Sequence, residues 1–230
     1  MAKGFAIVAY VVGPLGLGVL CAYVIVAGFG WRPSGETGAA AWLVDFGWLA
    51  IFALQHSGMA RRPFKEWWTL CVPATMERSI YVAASGIVTL AQPLVWQQLS
   101  GENLWERQWW LIPVSLAGLV GVGLCFRTID NMEFFGMRQA GFGRPAAEGD
   151  TLRTCGAYRW VRHPLMLATL AFLWAQPTMP PELLLLNGGL TAYVLIAIRL
   201  EERDLVRQFG QAYVDYRRRV PALVPWRLGR

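Results

Sequence analysis

Six stretches of this chain are too long and too apolar to remain in water, which restricts the architecture to helices packed within a bilayer. They cover 5–29, 41–58, 79–97, 109–126, 164–179 and 182–200. A hydrocarbon core about 30 Å thick takes about 20 residues of helix, at about 1.5 Å of rise per residue. The fifth stretch is short and runs into Pro177, Pro180 and Pro181, which cannot continue a helix. Residues 164–200 therefore read as a tight helical hairpin whose first arm barely crosses. The first stretch is too uniformly apolar and too long for a signal peptide and has no small-residue cleavage site. The expected fold class is all-α, a polytopic membrane bundle of five to six transmembrane helices. Charged residues make up 16% and apolar ones 55% of the chain, against about 25% and 45–50% in soluble domains. That balance excludes intrinsic disorder. The 12 Trp suit a protein with wide membrane–water boundaries.

Six crossings put both termini on one side. Of the 21 Lys and Arg residues, only Arg32 and Arg107 fall on the other. Cationic loops stay in the cytoplasm, so both termini are expected there, in a bacterial inner membrane. The net charge of +6 then reflects topology and contact with membrane lipids, not a nucleic-acid footprint. The four cysteines, Cys21, Cys71, Cys125 and Cys155, are scattered, so no zinc site or disulfide framework is indicated. Asp45 interrupts the second stretch near its outer end and reads as a structural or boundary residue, although ionisable groups inside a membrane are costly.

The polar chemistry gathers at the inner face. His56 closes the second stretch, and Glu77, Arg78 and Tyr81 open the third. A connection over 137–162, with Gly141, Gly143, Pro145, Gly149 and Gly156, is long enough to be functional. His163 opens the fifth stretch beside Pro164, which suits the first helical turn. The orphan N–H groups and partial positive charge of that helix start favour a carboxylate. Glu201 and Glu202 follow the sixth stretch. Gly210 can stop its helix, and a short helix over 213–219 puts Tyr213 and Tyr216 on one face. With Tyr158, these groups match a small zwitterionic, aromatic ligand that carries positive charge at its reacting atom.

The order Val161-Arg162-His163-Pro164, Glu201-Glu202, Phe209-Gly210, Tyr213, Tyr216, Val220-Pro221 resembles the isoprenylcysteine carboxyl methyltransferase superfamily of integral membrane enzymes. Met166 stands where many relatives have Tyr, which argues against a prenylcysteine acceptor. A narrower likeness runs from about Phe52 onward. Gln55 to Arg61, Phe64-Lys65, Trp67-Trp68-Thr69, Glu77-Arg78-Ser79, Tyr81, Ile129-Asp130, Phe134-Phe135-Gly136, Arg138-Gln139, Leu165-Met166-Leu167, Ala175 to Met179 and Glu201 to Leu205 look like the methanethiol S-methyltransferase family, where Met166 is no anomaly.

That resemblance implies methyl transfer from S-adenosylmethionine to methanethiol, giving dimethyl sulfide and S-adenosylhomocysteine. It implies a cytoplasmic cofactor pocket formed by Gln139, Tyr158, Arg162, His163, Pro164, Leu165, Glu201, Glu202, Tyr213 and Tyr216. His56 is the expected base or thiolate stabiliser, completed by Glu77, Arg78 and Tyr81. The expected domain is single, with spans one to four over 1–136, the connection over 137–162, and the cofactor-binding hairpin and tail over 163–230. A small apolar thiol and membrane lipids are the expected partners, with no metal, no nucleic acid and no obligate protein partner. Other acceptors stay open: another small thiol or selenol, a prenylcysteine carboxylate, or a phospholipid amine. So does a haem held by His56 and His163 in a redox protein.

Overall fold

A computed structural model describes residues 1–32, 38–128, 130–143, 152 and 154–225. Ile129, Arg144, Pro145, Gly149, Arg153, Trp226, Arg227 and Arg230, used in the sequence reading, lie outside the described residues. The long helices are α1 (Ala2–Gly28), α2 (Ala39–Ala60), α4 (Ala74–Val95), α5 (Ile112–Thr128) and α8 (Pro181–Phe209). Shorter ones are α3 (Arg62–Trp68), α6 (Asn131–Phe134), α7 (Pro164–Trp174) and α9 (Gln211–Arg219), and among the described residues there is no strand.

Four helical segments have both the length and the apolarity to cross a membrane: α1, α2, α8, and α5 with the single turn Trp109–Leu111 before it. The protein is an all-α integral membrane bundle. The third expected span, 79–97, begins earlier as α4, because Pro73 fixes the backbone just ahead of Ala74. Glu77 therefore sits in the first helical turn, where a carboxylate complements the helix dipole.

The fifth span departs from expectation. The expected helix over 164–179 stops at Trp174, after 11 residues, about 16 Å or half the hydrocarbon core. Residues 175–180 then continue as buried, non-helical chain. Thr178 N–H bonds to Gly28 O at 2.9 Å, Met179 exchanges bonds with Trp105 and Leu104, and Gln108 N–H bonds to Pro177 O at 2.8 Å. Non-helical backbone survives at membrane depth only where protein satisfies it, and here residues 104–108 do so. The expected fifth span is therefore a half-length helix followed by a non-helical strap. The sixth span is longer than expected. Helix α8 runs 29 residues, about 43 Å, and carries Glu201 and Glu202 on a helical extension beyond the bilayer. Gly210, with φ of +56°, ends it and starts α9.

Helices α1 and α4 approach closely because both carry glycine at the crossing. A Cβ on Gly86 would lie 2.5 Å from the Val12 carbonyl oxygen. In lipid such small-residue contacts let van der Waals packing hold helices together. The obstructing atom is backbone and cannot swing aside. Gly86→Ala is therefore expected to lower stability by about 1–3 kcal/mol, read as a fall in the thermal unfolding midpoint in detergent. A change below about 0.5 kcal/mol would mean that the helices do not pack at this point.

The end of the bundle away from the histidines is closed by a clamp. Arg32, in the chain after α1, forks onto Glu182 of α8 at 2.8 and 2.9 Å and onto Leu99 O at 2.6 Å. Asp45 is fully buried on α2 and accepts the Gln97 N–H at 2.9 Å. It lies inside protein and ties the chain that leaves α4.

Candidate active site

At the opposite end, α2, α4 and α8 bring together a half-buried polar cluster. His56 of α2 stacks on Phe52 and tilts against Tyr81 of α4, while Tyr193 of α8 meets it edge-on. The Tyr81 hydroxyl lies 3.0 Å from His56 Nε2, and Ser85 Oγ lies 3.1 Å from Nδ1. The Ser85 hydroxyl donates to the Tyr81 carbonyl at 3.0 Å and accepts from Gln55 Nε2 at 3.2 Å. Its single proton is thus committed, so it faces His56 as an acceptor. This assigns the neutral ring proton to Nδ1 and leaves the Nε2 lone pair accepting from the Tyr81 phenol.

Around this pair, the Arg78 guanidinium lies over the Tyr81 ring at 5.3 Å and the Phe134 ring at 5.2 Å, and it donates to Phe134 O at 2.9 Å. Glu77 pairs with Lys65 at 3.5 Å. Both line a cavity of about 410 Å³ with Arg78, Asp130 and Gln139. Gln139, expected among the cofactor residues, lies instead beside Glu77 and Arg78, because the turns after α6 fold it back there. Asp130 caps α6 through the Met132 and Glu133 N–H groups. The Arg138 guanidinium, at 2.6 Å, holds its carboxyl below the usual carboxylate range.

The second cluster forms where the start of α7 meets the tail. Backbone bonds from Arg162 to Pro221 O and from His163 to Ala222 O pair the two segments. Arg162 donates to Glu202 at 2.8 and 2.6 Å and to the carbonyls of Arg217 and Val220. His163 is buried between Glu202, at 3.2 Å, and Glu201, at 3.6 Å. Tyr216 donates to Tyr158 O at 2.7 Å and meets Tyr213 edge-on. Pro164 occupies the first turn of α7, with Leu165 half-buried behind it.

One Glu202 oxygen takes both Arg162 and His163 and the other faces Arg217 at 3.9 Å, whereas the Glu201 side chain is 50% exposed. The Tyr213 hydroxyl is buried with no acceptor for its proton, while the Arg162 guanidinium lies beside it as a donor. Burial, with Glu202 adding to it, pushes the Tyr213 phenol up to about 12. Burial does the same for Tyr216. Both are donors at neutral pH, not bases.

The expected residues thus fall into two contact groups. His56, Glu77, Arg78, Tyr81 and Gln139 form one, and Tyr158, Arg162, His163, Pro164, Leu165, Glu201, Glu202, Tyr213 and Tyr216 form the other, with α8 contributing to both. Tyr193 and Glu202 sit on opposite faces of that helix, nine residues apart. Sequence reasoning missed Ser85 and Tyr193. Their only signal was a hydroxyl on the inner half of an apolar run.

Comparison with known proteins decides the family. The chain is 41% identical, over 80% of its own length and 73% of the relative's, to Methanethiol S-methyltransferase 2 of Bradyrhizobium diazoefficiens. It belongs to the methanethiol S-methyltransferase family. A Mycobacterium tuberculosis methanethiol S-methyltransferase is 39% identical over 77% of this chain and 75% of that protein. Nurim of Xenopus laevis is 30% identical over 70% of the chain and 61% of its own length. No protein-family model matches, and no solved structure matches. As a methanethiol S-methyltransferase family member, the chain is a methyltransferase embedded in the membrane. Among its described residues no group of three or more His, Cys, Asp and Glu is placed to hold a metal ion. Each imidazole has both nitrogens engaged by neighbours, which gives no support to a haem held by the two histidines.

Proposed function

We propose that this enzyme methylates methanethiol with S-adenosylmethionine and releases dimethyl sulfide and S-adenosylhomocysteine. The observation that carries the reading is the Tyr81–His56 hydrogen bond of 3.0 Å, with Nδ1 occupied by Ser85. A thiol is a weak nucleophile until it loses its proton, and this pair is a proton acceptor built into an apolar wall. The relatives' names supply the acceptor.

The residues of the second cluster fit a methyl donor of this kind. The half-exposed Glu201 carboxylate suits an ammonium group or ribose hydroxyls. The Tyr213 hydroxyl is a donor lacking an acceptor. The first N–H groups of α7 have no helical acceptor and favour a carboxylate. Tyr158 and Tyr216 border the same ground. Arg162 and Glu202 hold the start of α7, α8 and the tail in register and so position these groups without touching the ligand. When bound, S-adenosylmethionine supplies an electrophilic methyl group.

The chain's own work is then orientation, exclusion of water and removal of one proton. Holding the reactants in line contributes about 7–11 kcal/mol. The Tyr81 oxygen takes the thiol proton as its own proton passes to His56 Nε2. Lys65, Arg78 and the Nδ1–H bond to Ser85 bias the surroundings toward anionic sulfur. The methyl donor is made in the cytosol, so this end of the bundle and both termini face the cytoplasm of a bacterial cell. A small apolar thiol enters from the lipid.

The test uses purified protein in detergent. Calorimetric titration is expected to show saturable binding of S-adenosylhomocysteine. Incubation with S-adenosylmethionine and methanethiol is expected to release dimethyl sulfide into the headspace, with no methylated product from a prenylcysteine or phosphatidylethanolamine acceptor. Binding without dimethyl sulfide, or methylation of the lipid acceptors instead, would overturn the substrate.

A further inference from the structure

A second cavity, of about 650 Å³, opens between the end of α2, the short helix α3 and the inward extension of α8. Five cations line it, Arg61, Arg62, Lys65, Arg203 and Arg207, against a single carboxylate, Asp204. Arg61 and Arg207 share that carboxylate at 3.5 and 3.1 Å. Arg62 is partnered by Glu66 and Lys65 by Glu77. Among the described residues Arg203 has no ion-pair partner. Even with both flanking glutamates counted, two positive charges stay uncompensated.

This is not the ground of the methyl donor. Residues 200, 203 and 207 form one face of α8, and Glu202, held by Arg162, lies on the opposite face. A sulfonium that also carries an ammonium group would be repelled here. The lining asks for an anion, and guanidinium forks match phosphate oxygens bidentately.

Depth selects which phosphate. Helix α3 follows directly on the membrane helix α2. It turns aromatic and aliphatic side chains outward: Trp67 is 59% exposed, Leu70 just beyond it is 81% exposed, and Phe64 stacks on Trp68. Such a segment rests at the headgroup layer, and the cavity opens beside it with Leu200 and Ala60 on its bilayer side. We propose that this cavity binds the phosphate of an anionic phospholipid headgroup from the inner leaflet.

Native mass spectrometry of the full chain in neutral detergent, with phosphatidylglycerol and phosphatidylcholine added in equal amounts, tests this. The wild-type protein is expected to retain one phosphatidylglycerol in preference to phosphatidylcholine. Arg203 and Arg207 are exposed, so the R203Q/R207Q variant is expected to fold with an unchanged melting temperature. Its retention should fall about tenfold. Equal retention of phosphatidylglycerol by variant and wild type, or no preference over phosphatidylcholine, would overturn the proposal. Displacement of the lipid by millimolar inorganic phosphate would assign the cavity to a free anion and overturn the lipid as its occupant.

Discussion

His56→Ala lowers the turnover of methanethiol by about 10²–10⁴-fold, the usual contribution of a positioned proton acceptor. The expectation rests on a chain of hydrogen bonds with one consistent direction. Ser85 gives its proton to the Tyr81 carbonyl and so receives the His56 Nδ1–H, which aims the Nε2 lone pair at the Tyr81 hydroxyl. Tyr81→Phe removes the hydroxyl that would relay the proton and is expected to lose activity to a similar extent. The two losses should not add, because the groups act as a unit. Proton transfer can be separated from packing by the pH profile. Without His56 the enzyme depends on thiolate already present in solution, so its rate should climb about tenfold per pH unit below the thiol pKa. The wild-type rate should climb much less steeply. S-adenosylhomocysteine affinity, set by the second cluster, should be unchanged. Steady-state kinetics of the variant at the wild-type rate, with the wild-type profile, would remove the assignment.

At the other end, Glu182→Ala is expected to destabilise the protein by about 3–5 kcal/mol, the cost of breaking a buried ion pair by deleting one partner. The Glu182 side chain is fully buried. Its carboxylate accepts the Arg32 fork and the Leu99 N–H at 3.4 Å. Deletion leaves the half-buried Arg32 guanidinium and the fully buried Leu99 N–H without their carboxylate acceptor. Arg32 is 31% exposed, which places the expected loss toward the lower end of that range. Replacing both partners by hydrophobic residues should recover much of the stability. Denaturant-induced unfolding in mixed micelles measures both variants. A single-variant loss below about 1 kcal/mol would show that the clamp does not hold the end of the bundle.

The spans were readable because a bilayer imposes a length and a polarity on anything that crosses it. The groups at the histidine end of the bundle were readable because charged side chains collect where spans end. Residues 175–180 were not. Prolines show that a helix must stop, but not that buried chain will carry on with its backbone satisfied by residues 104–108, which come from another part of the sequence. The two-sided arrangement about α8 was equally hidden. Glu201, Glu202 and Tyr193 belong to one helix, and only its packing tells which face meets α2 and which meets the tail.

The sequence alone determined a basic-sided helical membrane protein, the residues whose order marks its family, and the polar groups proposed to carry its chemistry. Those properties follow from local composition and spacing along the chain. The tertiary structure decided that Ser85 orients His56, that Arg162 occupies Glu202, and that Arg32 closes on Glu182 across 150 residues. Hydrogen bonds and ion pairs depend on ångström distances between segments remote in sequence, and hydrophobic periodicity carries no information about them.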